Sequence, residues 1–237
     1  MDVIFDYFKK IKKKFYYLKY YLKFYYLKKK FYRIKVLGIS NLFKCFYWRF
    51  KLKAVAYKSG LTLDPWFINW HIKSNIYCKP YKWRVIELAN SLNPNSVIEI
   101  GCGLGEIISR VKAQYRVGID IDKTCIYLAN KLNKGPIYIE GSFDSVLALQ
   151  VKDIDLLIMV GFIHGIPMDT LSFHINQILD SKTCKYIITD MYREDYPDRG
   201  VVHDLSKYNK RIKLINVYDD YEGYSYIMLW RVDNHGC

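Results

Sequence analysis

Hydrophobic residues fall into short blocks whose spacing changes along the chain, and that spacing predicts strands alternating with helices. Val97, Ile98 and Ile100 form an apolar run suited to a central parallel strand, and 153–160 (DIDLLIMV) forms another. Shorter runs at 115–119, 137–140 and 186–190 read as further strands. Apolar positions recur at helical spacing over 81–92, 123–132 and 168–180. Asn93-Pro94 closes the first of these helices, and Gly135-Pro136 marks a turn. The runs 212–218 and 224–232 flank Asp220-Tyr-Glu-Gly223 and predict a closing antiparallel pair. This alternation predicts an α/β fold, a doubly wound, Rossmann-like, mostly parallel sheet of about seven strands with an antiparallel edge strand.

A different pattern comes first. Residues 8–35 use little beyond Lys/Arg, aromatic residues and Leu/Ile. On a helix, Lys12, Lys19, Lys23 and Lys30 share one side, opposite Tyr17, Leu18, Tyr21, Phe24, Tyr25 and Tyr32. Residues 42–53 (LFKCFYWRFKLK) continue the theme. The pattern divides the chain into a basic aromatic helical extension, 1–60, and a Rossmann-like domain, 61–237. Within 63–76, Asp64 is a predicted helix N-cap with Pro65 at the first position. Trp66 and Trp70 then share a face, for packing on the core or for shaping an acceptor pocket.

Charge sharpens the division. Residues 1–53 carry 16 Lys and Arg against Asp2 and Asp6, whereas 54–237 carry 21 basic and 21 acidic residues. The whole excess of +14 therefore sits in the first quarter. Three readings stay open for it: an anionic membrane surface engaged through residues 8–53, RNA phosphates with tyrosines stacking on bases, or a solvated helix of drifted composition. Six cysteines (Cys45, Cys78, Cys102, Cys125, Cys184, Cys237) include no C-x-x-C pair, which argues against a zinc site or disulfide framework and for a reducing compartment. No metal is predicted. No apolar run approaches the roughly 18 residues of a membrane span. The expectation is a cytoplasmic protein, peripheral at the inner membrane face if the extension engages lipid.

The chemistry concentrates in 97–106, VIEIGCGLGE. An apolar strand ends in an acid, turns through Gly101, Gly103 and Gly105, and leads to Ile107, Ile108 and Val111, read as a helix. Glycines let backbone approach a ligand closely, and a helix start offers free N–H groups. A dinucleotide fingerprint needs G-x-G-x-x-G, yet here Glu106 stands where its last glycine belongs. A carboxylate there would complement the helix dipole and repel a phosphate, and Glu99 adds negative charge. A cationic, phosphate-free nucleoside such as S-adenosylmethionine fits better. Asp120, ending the second strand before Ile121 and Asp122, suits a ribose diol.

With these residues, the segment from about Tyr81 to Arg231 resembles the class I S-adenosylmethionine-dependent methyltransferases. Their first motif, E-x-G-x-G-x-G, is met by Glu99, Gly101, Gly103 and Gly105. The resemblance implies that Glu99 orients the methionine end, that the turn including Cys102 contacts it, and that Asp120 and Ile121 hold the ribose. An acid usually contacts the adenine amino group where this chain has Ser142, so that role falls to Ser142, Phe143, backbone or Asp144. Gly161-Phe-Ile-His164 lacks the Asp/Asn-Pro-Pro-aromatic motif of DNA amino-methylating members, and no Pro-Cys pair follows a strand. Transfer to a DNA base is disfavoured on both counts.

A sugar or lipid hydroxyl is a poor nucleophile and calls for a base, usually histidine. His164 follows the fourth strand and His203 lies beyond the fifth, with Asp204 as its orienter. Asp190 and Tyr192 are placed to line an acceptor pocket. The sequence thus points to O-methylation of a small or membrane-linked acceptor, such as a glycan or glycolipid precursor. The alternatives are an RNA methyltransferase and a non-catalytic cofactor-binding scaffold.

Overall fold

The computed structural model describes residues 40–196 and 200–233. The predicted amphipathic helix at 8–35 lies outside the described residues. Seven strands form a single sheet in the order β3-β2-β1-β4-β5-β7-β6. They are β1 (Ser96–Ile100), β2 (Tyr115–Asp120), β3 (Ile137–Glu140), β4 (Asp153–Met159), β5 (Thr183–Tyr192), β6 (Ile212–Asp219) and β7 (Ser225–Val232). The first five strands pair in parallel, and β7 runs antiparallel to both β5 and β6 at one end of the sheet. The connection from β1 leads to β2 on one side, while β4 lies on its other side. That reversal opens a crevice beyond the carboxyl ends of β1 and β4.

Alternation along the strands divides the core. Ile98, Ile100, Leu157 and Met159 face the cluster under α6 (Met168–Ser181), whereas Val97, Leu156 and Ile158 face the one under α3 (Pro80–Ser91). Every residue of β1 is buried, Ser96 and Glu99 included, as suits a central strand covered on both faces. Helix α4 (Lys123–Leu132) begins where Asp122 accepts the amide protons of Thr124 and Cys125. The short α5 (Phe143–Ala148) follows β3.

Residues 40–58 form a helix, α1, and it is no free appendage. Cys45, Trp48, Leu52 and Ala56 recur at helical spacing and are buried. Trp48, Leu52 and Ala56 pack with Phe67 and Ile72 of the next segment and with Leu104, Cys125 and Leu128 of the domain. The second basic-aromatic stretch therefore belongs to the folded unit along one of its faces. Asp64 caps α2 (Pro65–Phe67) as predicted, and a π-turn over Ile68–Ile72 continues it. A disulfide joins Cys45 to Cys78, correcting the argument from spacing against any such bond. Its partners are 33 residues apart and become neighbours only once α1 docks. Among the described residues, no helix is long and apolar enough to cross a membrane.

Candidate active site

A cleft of about 720 Å3 occupies the crevice. Its floor is the turn after β1. Gly101 takes φ +69°, and a Cβ there would lie 2.5 Å from the Phe162 ring. Gly103, at φ +52°, sits beneath the His71 imidazole. Gly105 does not line the cleft; it backs onto the Tyr138 ring, where a side chain would collide. Only glycine combines these backbone angles with such close approach.

The expected helix after the turn does not form. Residues 101–110 are a chain of turns, and the Ile108 N–H donates to Glu99 Oε2 at 2.9 Å. Glu99 reaches across the turn to take a donor that a regular helix would aim elsewhere. Its carboxylate is 3% exposed, and burial pushes its pKa up to about 8, against the Ile108 bond and the Lys82 charge. Asp120 accepts the Gly103 N–H at 2.7 Å on one oxygen and the Asp122 N–H at 2.9 Å on the other. The acid that ends β2 thus shapes the glycine turn while facing the cleft.

Glu106 is not at a helix start, and its role differs from the expected dipole complement. It is buried and gathers Trp48 Nε1 (2.9 Å), the Ile76 N–H (3.1 Å) and Lys82 Nζ (2.5 Å). One carboxylate thereby fastens α1, the segment before α3, and α3 itself beneath the cleft. Nothing in the sequence pairs Trp48 or Lys82 with Glu106; the sole signal is an acid in a glycine turn with no phosphate to serve.

The predicted cofactor residues Glu99, Gly101, Cys102, Gly103, Asp120, Ile121, Ser142 and Phe143 all line the cleft. Trp66 and Trp70 stand at its rim, more than half exposed, with ring centroids 6.4 Å apart. His71, which the sequence left without a role, lies there too. Its Nε2 is 3.4 Å from Cys125 Sγ, a thiol that burial keeps protonated, and His71, Asp122 and Cys125 bring three potential metal-ligand atoms within 4.8 Å of one another.

A solved S-adenosylmethionine-dependent methyltransferase from Clostridium acetobutylicum ATCC 824 is similar to this chain, with a TM-score of 0.52 and 13% identity, over 70% of this chain and 96% of that one. Magnesium protoporphyrin IX methyltransferase from Synechocystis PCC 6803, with bound SAH, gives 0.51 and 14% over 65% and 84%. The fold is that of the class I S-adenosylmethionine-dependent methyltransferases. No protein-family model matches the chain, and no curated protein matches it in sequence.

In this methyltransferase fold the far end of the cleft is aromatic and acidic. Tyr192 stacks on Tyr196 at 4.5 Å, and Tyr196 meets Tyr224 edge-on at 5.9 Å. Tyr81 opens α3 and holds its phenol protonated, through burial and the nearby Asp190 charge. Asp190, at the end of β5, accepts the Gly161 N–H at 2.9 Å, and burial pushes its pKa up to about 7. Asp220 is structural, taking the N–H groups of Glu222, Gly223 and Ser225.

Neither predicted histidine lines the cleft. His203 Nε2 lies 2.9 Å from the Ile163 carbonyl, so that nitrogen donates, and Nδ1 accepts from the Tyr208 hydroxyl at 2.6 Å. Both nitrogens are committed to packing. Asp204, its expected orienter, instead accepts from Ser206. His164 packs behind the wall, its ring 4.3 Å from Tyr192 and its Nδ1 4.0 Å from Asp190, with burial lowering its pKa to about 4. The sequence named Asp190 and Tyr192 as pocket lining, and missed Tyr81, Tyr196 and Tyr224. Those three come from separate elements and share no motif.

Proposed function

We propose that this protein is an S-adenosylmethionine-dependent methyltransferase acting on an oxygen of a small or membrane-linked acceptor, such as a glycan or glycolipid precursor. One observation carries the reading: Glu99 and Asp120 flank a glycine turn in a methyltransferase fold, and turns stand where a dinucleotide fold would start its phosphate-binding helix. The residues present fit the cofactor. Glu99 offers a carboxylate to its ammonium, Asp120 offers acceptors to its ribose, and Gly101 and Gly103 leave room that a Cβ would fill. When bound, S-adenosylmethionine supplies a methyl group activated by a sulfonium.

The chain's own part is to position the acceptor, exclude water and take a proton. Asp190 takes over the base role expected of the histidines, because its carboxylate faces the cleft and titrates near neutrality. Tyr192, Tyr196 and Tyr224 give a wall against which a sugar ring can stack. The same wall beside a carboxylate also suits an ammonium, so methylation of an amine is the second reading.

The test incubates purified protein with methyl-labelled cofactor and native lipid, glycan and amine fractions. Label in an ether or ester product, lost in Asp190→Asn, supports oxygen transfer. Label in a methylamine selects the second reading. Cofactor binding with no labelled product in any fraction contradicts the enzyme assignment and favours the scaffold.

A further inference from the structure

Helix α1 has two apolar faces, and the domain uses only one. With 100° per residue, the buried Cys45, Trp48, Leu52 and Ala56 centre on one side. On the opposite side stand Phe43, Phe46, Tyr47, Phe50 and Tyr57, between 65% and 86% exposed. Those positions carry polar residues on an ordinary surface helix. Large aromatic side chains repeated in a stripe on a solvent face mark a contact surface rather than scattered exposure.

The borders of the stripe are basic. Lys44, Lys51 and Lys58 follow it seven residues apart on one edge, and Lys53 and Arg49 lie on the other. No acid occurs anywhere from residue 7 to residue 63. Charge decides what can cover such a face. Residues 1–39 carry 12 Lys and Arg against two acids, so folding them over α1 would bring like charges together. A second copy would pair the same lysine rows. An anionic surface has the complementary sign, and a helix with aromatic residues facing out between lysines matches the way amphipathic helices lie in the headgroup layer.

We propose that the outward face of α1, built from Phe43, Phe46, Tyr47 and Phe50 with Lys44, Lys51, Lys53 and Lys58, docks the protein on an anionic lipid bilayer. The inference is independent of the reaction catalysed. It goes beyond charge alone, because it assigns the contact to an ordered helix bound to the domain through Trp48–Glu106 and Cys45–Cys78. The buried face holds α1 in place while the aromatic face enters the headgroups. The exposed Trp66 and Trp70, at the cleft rim, belong to the segment packed directly beneath α1.

The test is co-sedimentation of the full chain with vesicles of phosphatidylcholine, with and without 30 mole per cent phosphatidylserine (roughly the anionic content of a cytoplasmic leaflet). The comparison is the variant F43S/F46S/F50S, whose side chains are exposed and leave the core intact. The expected result is at least about tenfold tighter partitioning onto the anionic vesicles, lost to a similar extent in the variant. Far-ultraviolet circular dichroism and cofactor binding should be unchanged. Lipid binding that the variant retains would overturn the assignment to α1. Indifference to phosphatidylserine would overturn the anionic bilayer, as would salt-sensitive capture of single-stranded RNA without vesicle binding. A dimer in size-exclusion chromatography that the variant dissolves would assign the face to self-association instead.

Discussion

Two carboxylates in the cleft are buried to a similar degree, and each lacks a cation strong enough to hold it ionised. Glu99 sits at about 8 and Asp190 at about 7, both raised chiefly by loss of water. Between an ordinary value of 4.5 and about 8, folded Glu99 keeps a proton that the unfolded chain has released, so its contribution to stability falls as pH rises through that window. A bound cation reverses the preference. Binding of S-adenosylmethionine at pH 7 should therefore release protons, read as a dependence of calorimetric heat on buffer ionisation enthalpy. Glu99→Gln should remove most of that dependence. Asp120→Ala should weaken cofactor binding by about 1–3 kcal/mol through lost hydrogen bonds, and unchanged affinity would take Asp120 out of the site. Turnover should rise with pH around neutrality as Asp190 ionises, and Asp190→Asn should flatten that limb while cofactor affinity holds.

Among the elements, the turn after β1 is under the greatest constraint. Gly101→Ala must place a methyl 2.5 Å from the Phe162 ring at φ +69°, which predicts a loss of about 1–3 kcal/mol in denaturant unfolding. A loss below that range would show that the loop carrying Phe162 yields freely. The central strands were legible because burial on both faces writes a mostly apolar run, interrupted only by Glu99 in 97–100 and by Asp155 in 154–160. Capping by Asp64 was legible as local chemistry. The turns that replace a helix over 101–110 were not, because Glu99 takes the Ile108 N–H across nine residues of sequence, a contact that only the folded turn brings about. The Cys45–Cys78 bond was hidden for the same reason, since only docking of α1 brings its partners together. Replacing both by serine removes a loop constraint worth about 3 kcal/mol. The expected outcome is a lower Tm with α1 first to lose amide protection.

At the scale of the whole molecule, a charge-balanced Rossmann-like domain is joined to a basic segment, and α1 belongs to both. Glu106 makes the joint: its contacts with Trp48, Ile76 and Lys82 connect the helix to the floor of the cleft. Glu106→Gln keeps the shape but leaves Lys82 without its counter-charge, which predicts weaker docking of α1 and faster hydrogen exchange over 44–56. The change in charge along the chain was legible in the position of its acids. That the second basic stretch packs inward along one face was not, because its aromatic residues mask the four-position apolar stripe beneath. Isothermal titration calorimetry with S-adenosylmethionine, its demethylated product and NAD as three separate ligands distinguishes a methyl-donor cleft from a dinucleotide cleft. Saturable binding of the first two and none of the dinucleotide is the predicted result. Tight NAD binding, with no heat from either sulfur compound, would contradict it.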